Sequence, residues 1–182
     1  PSKTGRTFVT MEGWVNFDSP DNINQVDKYH FLFGWLFDMN LLFRSYTSEP
    51  GAGYFLQMQG TSVNGGTNAM GTTYLLPSKL TGWHYLVARY NGSTAQIFLD
   101  GTSVSSTSNS DTGVKDLRST FSFGGNTEGD RWYDHAIDEV RLTYGVRSAA
   151  WIAASYKSEA DTFNTFASEE PQTQTSGTLT SS

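Results

Sequence analysis

The sequence contains no cysteine, which excludes disulfide bonds and metal sites built from thiolates. It also has no apolar run close to the roughly 20 residues that a membrane-spanning helix needs, so we expect no insertion into a bilayer. Basic residues are few, and 12 Lys and Arg against 18 Asp and Glu leave a net charge of -6. This charge argues against nucleic acid or an anionic membrane as a partner and suits neutral or cationic ligands.

What the chain does contain points to a β fold. Its 182 residues are enough for one domain with a real core, and aromatic residues make up 14% of them. Such rings commonly cover the faces of sheets, and the 18 glycines suit many turns. We therefore expect one folded domain over residues 1–166, followed by a polar tail or linker over residues 167–182.

Apolar residues alternate with period two along much of this domain, which is typical of strands. The pattern predicts strands at 8–17, 29–43 (two strands with a turn at 38–40), 54–59, 83–90, 95–99, 121–124 and 137–142. The aromatic row from Tyr29 to Phe43 is either core or a binding platform, and core is the expected role. Residues 60–73 and 102–113 read as polar loops. Ser148 is expected to cap a short helix that contains Trp151, Ile152, Ser155 and Tyr156.

Three motifs resemble the laminin-G-like, concanavalin-A-like jelly-roll domains. Phe8 to Val15 (FVTMEGWV) is similar to their opening strand, and Gly82 to Val87 with Phe98 to Gly101 to their central hairpin. Ile137 to Leu142 followed by Arg147 to Ile152 is similar to their closing strand and helix. The resemblance implies an all-β fold, a jelly-roll β-sandwich of two antiparallel sheets with one short C-terminal helix. It does not settle function, because the family includes carbohydrate-binding modules, adhesins, enzyme-attached domains and virion surface proteins.

Asp138 is the most conspicuous acid, because period-two counting places it on the same face as Val140 and Leu142. An acid on an apolar face needs a partner. The resemblance implies that some relatives bind a structural Ca²⁺ near this position, so Asp138 is a candidate calcium ligand. The alternative is that its carboxylate accepts backbone N–H bonds or pairs with a base.

Catalysis is not expected from the sequence. The glycosidases of this fold carry Glu-x-Asp-x-x-Glu on one strand, and no such run is present. Asp138 and Glu139 are adjacent, so regular strand geometry directs them to opposite faces. His30, His84 and His135 have no nucleophile motif around them.

The loop before the closing strand has the composition of a sugar site. It carries aromatic rings for stacking on sugar faces and charged side chains for binding hydroxyl groups. We therefore predict ligand-binding residues at Asn126, Asp130, Arg131, Trp132, Tyr133 and Asp134. The alternative role for Trp132 is to cover the end of the core.

These features favour a non-catalytic binding or adhesion module, extracellular or at the cell surface, with a glycan as its ligand. The alternative is a structural decoration or assembly protein on a virion or a cell-surface polymer. Such domains usually have a strand before the first motif, and only Pro1 to Arg6 precede it here. Either that strand is missing from the sequence or another segment or chain supplies it. The alternative therefore predicts that residues 1–7 and 167–182 contact neighbouring chains.

Overall fold

Two antiparallel sheets of five strands each pack face to face in the computed structural model. The structure describes residues 8–17, 28–35, 38–46, 53–61, 70–109, 120–125, 133 and 135–161. The predicted contacts of residues 1–7 and 167–182 lie outside these ranges. Among the residues that are described, no helix has the length and apolar character needed to cross a membrane.

Ten strands and one helix follow one another along the described chain. The strands are β1 (Val9–Asn16), β2 (Lys28–Trp35), β3 (Met39–Tyr46), β4 (Gly53–Gly60), β5 (Thr72–Leu75), β6 (Trp83–Tyr90), β7 (Thr94–Leu99), β8 (Thr102–Ser108), β9 (Ser122–Phe123) and β10 (Ile137–Thr143). The helix is α1 (Ala149–Glu159). The first sheet has the order β10-β1-β6-β7-β8, and the second has the order β5-β4-β3-β2-β9. This architecture confirms the predicted jelly-roll sandwich with one short helix.

The core lies between the two sheets and follows from the alternation of the strands. In β1, Val9, Met11 and Val15 face inward and are buried, as their spacing predicted. In β6, Leu86 and Ala88 do the same. The residues between them form the outer face of the first sheet, on which α1 packs.

Two predicted loops contain strands. Thr72–Leu75 pairs with β4, and Thr102–Ser108 pairs with β7, so the loop predictions for 60–73 and 102–113 are wrong at these residues. Both segments lack the apolar alternation that identifies a strand, because hydroxyl side chains fill much of β5 and β8. The Thr72 hydroxyl lies 2.6 Å from that of Ser105, so polar bonds join the two strands across the sheets.

The aromatic row from Tyr29 to Phe43 is divided between two faces, contrary to its uniform odd spacing. The pairing of β2 with β3 shifts register between Phe31 and Phe33, which are paired with Leu42 and Leu41. Phe33 therefore joins the main core, whereas Phe31 packs with Leu42 in a separate cluster. Phe31 and Phe33 are both buried, which confirms that these two rings have a core role.

A β-bulge in β10 changes the face on which Asp138 lies. Glu12 pairs with Arg141 and Trp14 pairs with Asp138, so β10 carries one residue more than β1 over this stretch. Glu139, within the bulge, has a φ of 50°. Ile137 and Val140 consequently both face the core, and Asp138 is exposed. The predicted placement of Asp138 on the apolar face is wrong, because period-two counting assumes an uninterrupted strand.

The helix α1 begins where the sequence predicted. The Ser148 hydroxyl accepts a hydrogen bond from the Trp151 amide at 3.1 Å, which satisfies one of the free donors of the first turn. Ile152 is buried against the outer face of the first sheet, where it packs with Tyr85, Val87 and Phe98. This contact fixes the helix over β6 and β7.

The turn between β7 and β8 also contacts α1. Asp100 and Gly101 have φ values of 50° and 77°, so both adopt the left-handed conformation. A Cβ atom on Gly101 would lie 3.1 Å from Cα of Ala153 and 3.2 Å from Cβ of Tyr156. Glycine is therefore needed here both for the backbone conformation and for the close approach of the helix.

A polar network ties the end of α1 to the sheet. Glu12 is only 1% exposed, and its carboxylate accepts a hydrogen bond from the Tyr85 hydroxyl at 2.8 Å. Arg141 approaches the other Glu12 oxygen at 3.5 Å and also donates a hydrogen bond to Glu159 on the helix. Burial is the largest effect on Glu12 and raises its pKa, although the Tyr85 bond and Arg141 oppose this change.

Replacing Gly101 should loosen the contact between the turn and the helix. We expect Gly101→Ala to lower the free energy of unfolding by about 1–2 kcal/mol, because alanine adds backbone strain and a close contact. Urea unfolding followed by circular dichroism measures this change. Gly145→Ala is the control, because the nearest atom to an added Cβ there is Cγ2 of Thr143 at 3.6 Å, an ordinary contact. Equal losses in both variants would contradict the assigned role of Gly101.

The buried Glu12 should make stability depend on pH. Because its folded-state pKa is raised above the usual value, its contribution to stability is largest when the group is protonated in both states. That contribution declines as pH rises through the unfolded and then the folded pKa. We therefore expect the stability of the wild-type protein relative to Glu12→Gln to fall as pH rises from about 4.5, the usual pKa of Glu, towards neutrality.

Urea unfolding of both proteins across this pH range tests the sign. Each tenfold change in proton affinity corresponds to about 1.4 kcal/mol. Glu139→Gln removes the same charge from a mostly exposed side chain and serves as the matched control. If wild-type stability rose relative to Glu12→Gln over this range, attraction to Arg141 would outweigh burial.

Candidate functional site

A cleft of about 670 Å³ lies on the outer face of the first sheet, where α1 ends. Its volume is within the range of about 300–1,000 Å³ that is typical of small-molecule sites. It is lined by aromatic rings and carboxylates from β1, β6, β10 and the end of the helix. These residues are Trp14, Trp83, Asp138, Glu139, Tyr156, Glu159, Ala160 and Asp161.

Three rings form the apolar part of the cleft. Trp14 stacks on Tyr156, with ring centroids 5.8 Å apart and an interplanar angle of 30°. Trp83 is 45% exposed, so much of its surface is available to a ligand. Trp14 and Trp83 share the outer face because both strands alternate about the core, and the pairing of Asn16 with Trp83 brings β1 and β6 together there.

Hydrogen bonds hold the Trp14 ring in place. Its indole N–H donates to Glu159 Oε2 at 2.6 Å, and the second Glu159 oxygen accepts from Arg141. Tyr156 and Glu159 are three residues apart in α1, so both side chains point to the same side of the helix. The orientation of the ring therefore depends on the helix and on the closing strand together.

Negative charge dominates the cleft. Among the described residues, four carboxyl groups line it, from Asp138, Glu139, Glu159 and Asp161. Arg141 is bonded to Glu159 and lies 3.9 Å from a Glu139 oxygen. Beneath the rings, burial and the Glu12 bond raise the pKa of Tyr85, which keeps its hydroxyl protonated as a donor.

The structure bears on one residue of the predicted sugar-binding loop. Tyr133 is 4% exposed, its hydroxyl donates to the Asn16 carbonyl, and its ring lies 5.9 Å from that of Phe17. A ring buried in this way supports the core and offers no face for stacking, so Tyr133 is not positioned as a ligand contact. Asn126, Asp130, Arg131, Trp132 and Asp134 lie outside the described residues, and their role stays a prediction.

The structure shows one backbone hydrogen bond to the Asp138 carboxylate. Its Oδ1 atom accepts the Glu139 backbone N–H at 2.8 Å, within the bulge. In the described part of the chain, no three His, Asp or Glu side chains are grouped so that they could hold a metal ion. Ca²⁺ takes six to eight oxygen ligands, and calcium binding at Asp138 stays a prediction.

The predicted separation of Asp138 and Glu139 is wrong. Both line the same cleft, because the bulge interrupts the alternation that would direct them to opposite faces. Sequence reasoning also missed Trp14, Trp83, Tyr156, Glu159 and Asp161 as site residues. One signal in the sequence was the outward position of Trp14, which period-two counting places on the face opposite the core. This signal does not reveal which other residues lie beside Trp14.

A second cavity of about 310 Å³ lies near the joined edges of β5 and β8. Among the described residues its lining is amide, hydroxyl and backbone groups with one methionine, and it includes no aromatic ring: Gln57, Met58, Gln59, Gly71, Thr72, Thr73, Thr107 and Asn109. Several of these groups already bond one another, as Thr72 does with Thr107 at 2.8 Å. The larger cleft is therefore the stronger candidate site.

Comparison with solved structures gives many matches of the same fold. A proposed carbohydrate-binding protein from Bacteroides ovatus is 18% identical with a TM-score of 0.58, and the match covers 84% of this chain and 42% of that one. The botulinum neurotoxin serotype D binding domain is 13% identical with a TM-score of 0.59, covering 85% and 38%. The binding domain of Paraclostridial Mosquitocidal Protein 1 is 9% identical with a TM-score of 0.58, covering 84% and 37%.

These likenesses concern the fold, and the match spans about two fifths of each of those chains. A comparison with curated protein sequences finds no significant match. A family model, in contrast, matches residues 2–153, which is most of the sequence. The chain belongs to the concanavalin A-like lectin/glucanase superfamily, as a member of its Laminin_G_3 family.

Proposed function

We propose that the protein is a non-catalytic glycan-binding module and that the cleft at the end of α1 is its binding site. One observation carries the proposal: exposed and partly exposed rings share a cleft with hydrogen-bonding carboxylates. Sugars present apolar C–H faces that stack on rings and hydroxyl groups that bond carboxylates. The Bacteroides ovatus and toxin binding-domain neighbours support a binding role by analogy of fold.

The hydrogen bonds that two acids of the cleft already make favour a non-catalytic role. Glu159 is bonded to both Arg141 and Trp14, and Asp138 accepts a backbone N–H. These bonds serve structure and leave fewer groups for proton transfer. The superfamily also includes glucanases, so several carboxyls in one cleft make glycoside hydrolysis the second candidate. Release of reducing ends from a bound oligosaccharide, lost in Asp138→Asn, would favour hydrolysis.

The proposed setting is extracellular or on a cell surface, where a glycan ligand is accessible. The toxin binding domains of similar fold support this setting by analogy.

Removing the exposed ring of the cleft should weaken glycan binding. We expect Trp83→Ala to reduce affinity for a glycan identified on an array by about tenfold or more, which is about 1.4 kcal/mol or more, because a stacking face is lost. Isothermal titration calorimetry measures the change. Phe123→Ala is the control, because Phe123 is an exposed aromatic residue on the second sheet and outside the cleft.

A third variant, Trp132→Ala, tests whether the binding site lies in the cleft or in the loop before β10. If Trp132→Ala abolished binding while Trp83→Ala left it intact, the site would lie in the loop and the cleft assignment would be wrong. If Trp83→Ala weakened binding and Trp132→Ala did not, the loop prediction would be wrong. Circular dichroism spectra of each variant establish that the fold is retained.

A further inference from the structure

We infer that the cleft selects a cationic sugar, that is, an oligosaccharide with free amino groups such as one built of glucosamine. This inference rests on the proposed function, since it names the ligand class of the same site. It comes from the charges and rings that line the cleft. Two independent features of the lining favour a positive charge in the ligand.

The first feature is an excess of carboxylates. Asp138, Glu139, Glu159 and Asp161 line the cleft, no Lys or Arg is among its described lining residues, and Arg141 contacts Glu139 and Glu159. That guanidinium is shared, because it also approaches the buried Glu12 at 3.5 Å. Arg141 is thus shared among three carboxylates, and the described lining of the cleft presents a negative potential to a ligand.

The carboxylates also differ in exposure and in the bonds that they already make. Glu159 is fixed by its bonds to Trp14 and Arg141, so its charge is already compensated. Asp138 and Glu139 are exposed at the bulge, and the Arg141 guanidinium lies 3.9 Å from a Glu139 oxygen. A ligand ammonium group can therefore reach these two adjacent acids without breaking the network under the helix.

The second feature is the aromatic lining. The faces of Trp and Tyr rings carry negative electrostatic potential and attract cations by about 0.5–2 kcal/mol. Trp83 exposes nearly half of its surface beside the acids, and Trp14 stacks with Tyr156 in the same cleft. Rings and carboxylates thus favour the same ligand charge, whereas a sialic acid, a uronic acid or a sulfated sugar would meet repulsion from both.

A comparison of matched oligosaccharides tests the inference. We expect glucosamine tetramer to bind about tenfold or more tightly than N-acetylglucosamine tetramer at about pH 5.5, where most amino groups of the sugar are protonated. Raising the salt concentration from about 0.05 M to 0.5 M should remove most of this preference, because exposed charges are screened. Calorimetry on the full chain measures both affinities.

Two variants assign the preference to the cleft. The double variant Asp138→Asn and Glu139→Gln keeps the side-chain shapes and one oxygen of each group, so it should lose most of the preference for the amino sugar and retain affinity for the acetylated tetramer. Trp83→Ala should weaken both ligands and should reduce the preference less than the double variant does, because the acids remain. Retention of the full preference by the double variant would overturn the assignment to these two acids.

The outcomes also separate this inference from the proposed function. Equal affinity for the two tetramers, or tighter binding of a sialylated or uronate oligosaccharide, would overturn the cationic preference while glycan binding stood. If lysine tetramer bound as tightly as glucosamine tetramer, the cleft would recognise positive charge and not a sugar. This result would overturn the inference of an amino-sugar ligand. Failure of every oligosaccharide on an array to bind would overturn the proposed function itself.

Discussion

The extra residue in β10 determines how the closing strand faces the rest of the protein. Opposite Gly13, the bulge at Glu139 allows Ile137 and Val140 to face the core although they are three residues apart. A Cβ on Gly13 would lie 3.3 Å from the Asp138 carbonyl and from Cγ2 of Val140, so the glycine leaves room for the bulge. Without this interruption, Asp138 would face apolar side chains and would have to leave the cleft.

The bulge also brings Arg141 into position between the sheet and the helix. Arg141 pairs with Glu12 in the sheet and bonds Glu159 on α1, and Glu159 in turn orients Trp14. A carboxylate as buried as Glu12 is tolerated because a hydroxyl and a guanidinium compensate for lost solvation. The interactions that attach the helix are thus the same ones that place a ring of the candidate site.

The cleft exists because the helix ends before it covers the whole outer face of the sheet. Ile152 closes the surface over Tyr85, Val87 and Phe98, whereas the chain beyond Glu159 turns at Asp161, whose φ is 57°. Trp83 is left partly uncovered at this point, next to acids from β10 and the helix terminus. The sandwich fold supplies the platform, and the side chains around the helix terminus determine the chemistry of the cleft.

The sequence alone determined the fold class and much of the core. Alternation along Phe8 to Phe17 identified both faces of β1, and Ser148 marked the start of α1, because these signals act over a few neighbouring residues. The sequence did not predict the hydroxyl-rich strands β5 and β8. Pairing with β4 and β7 stabilises them, and their own composition does not indicate this pairing. The tertiary structure alone decided the face of Asp138 and the assembly of Trp14, Trp83, Tyr156 and Glu159 into one cleft. Both depend on contacts between residues as much as 145 positions apart and on a bulge that local periodicity cannot reveal.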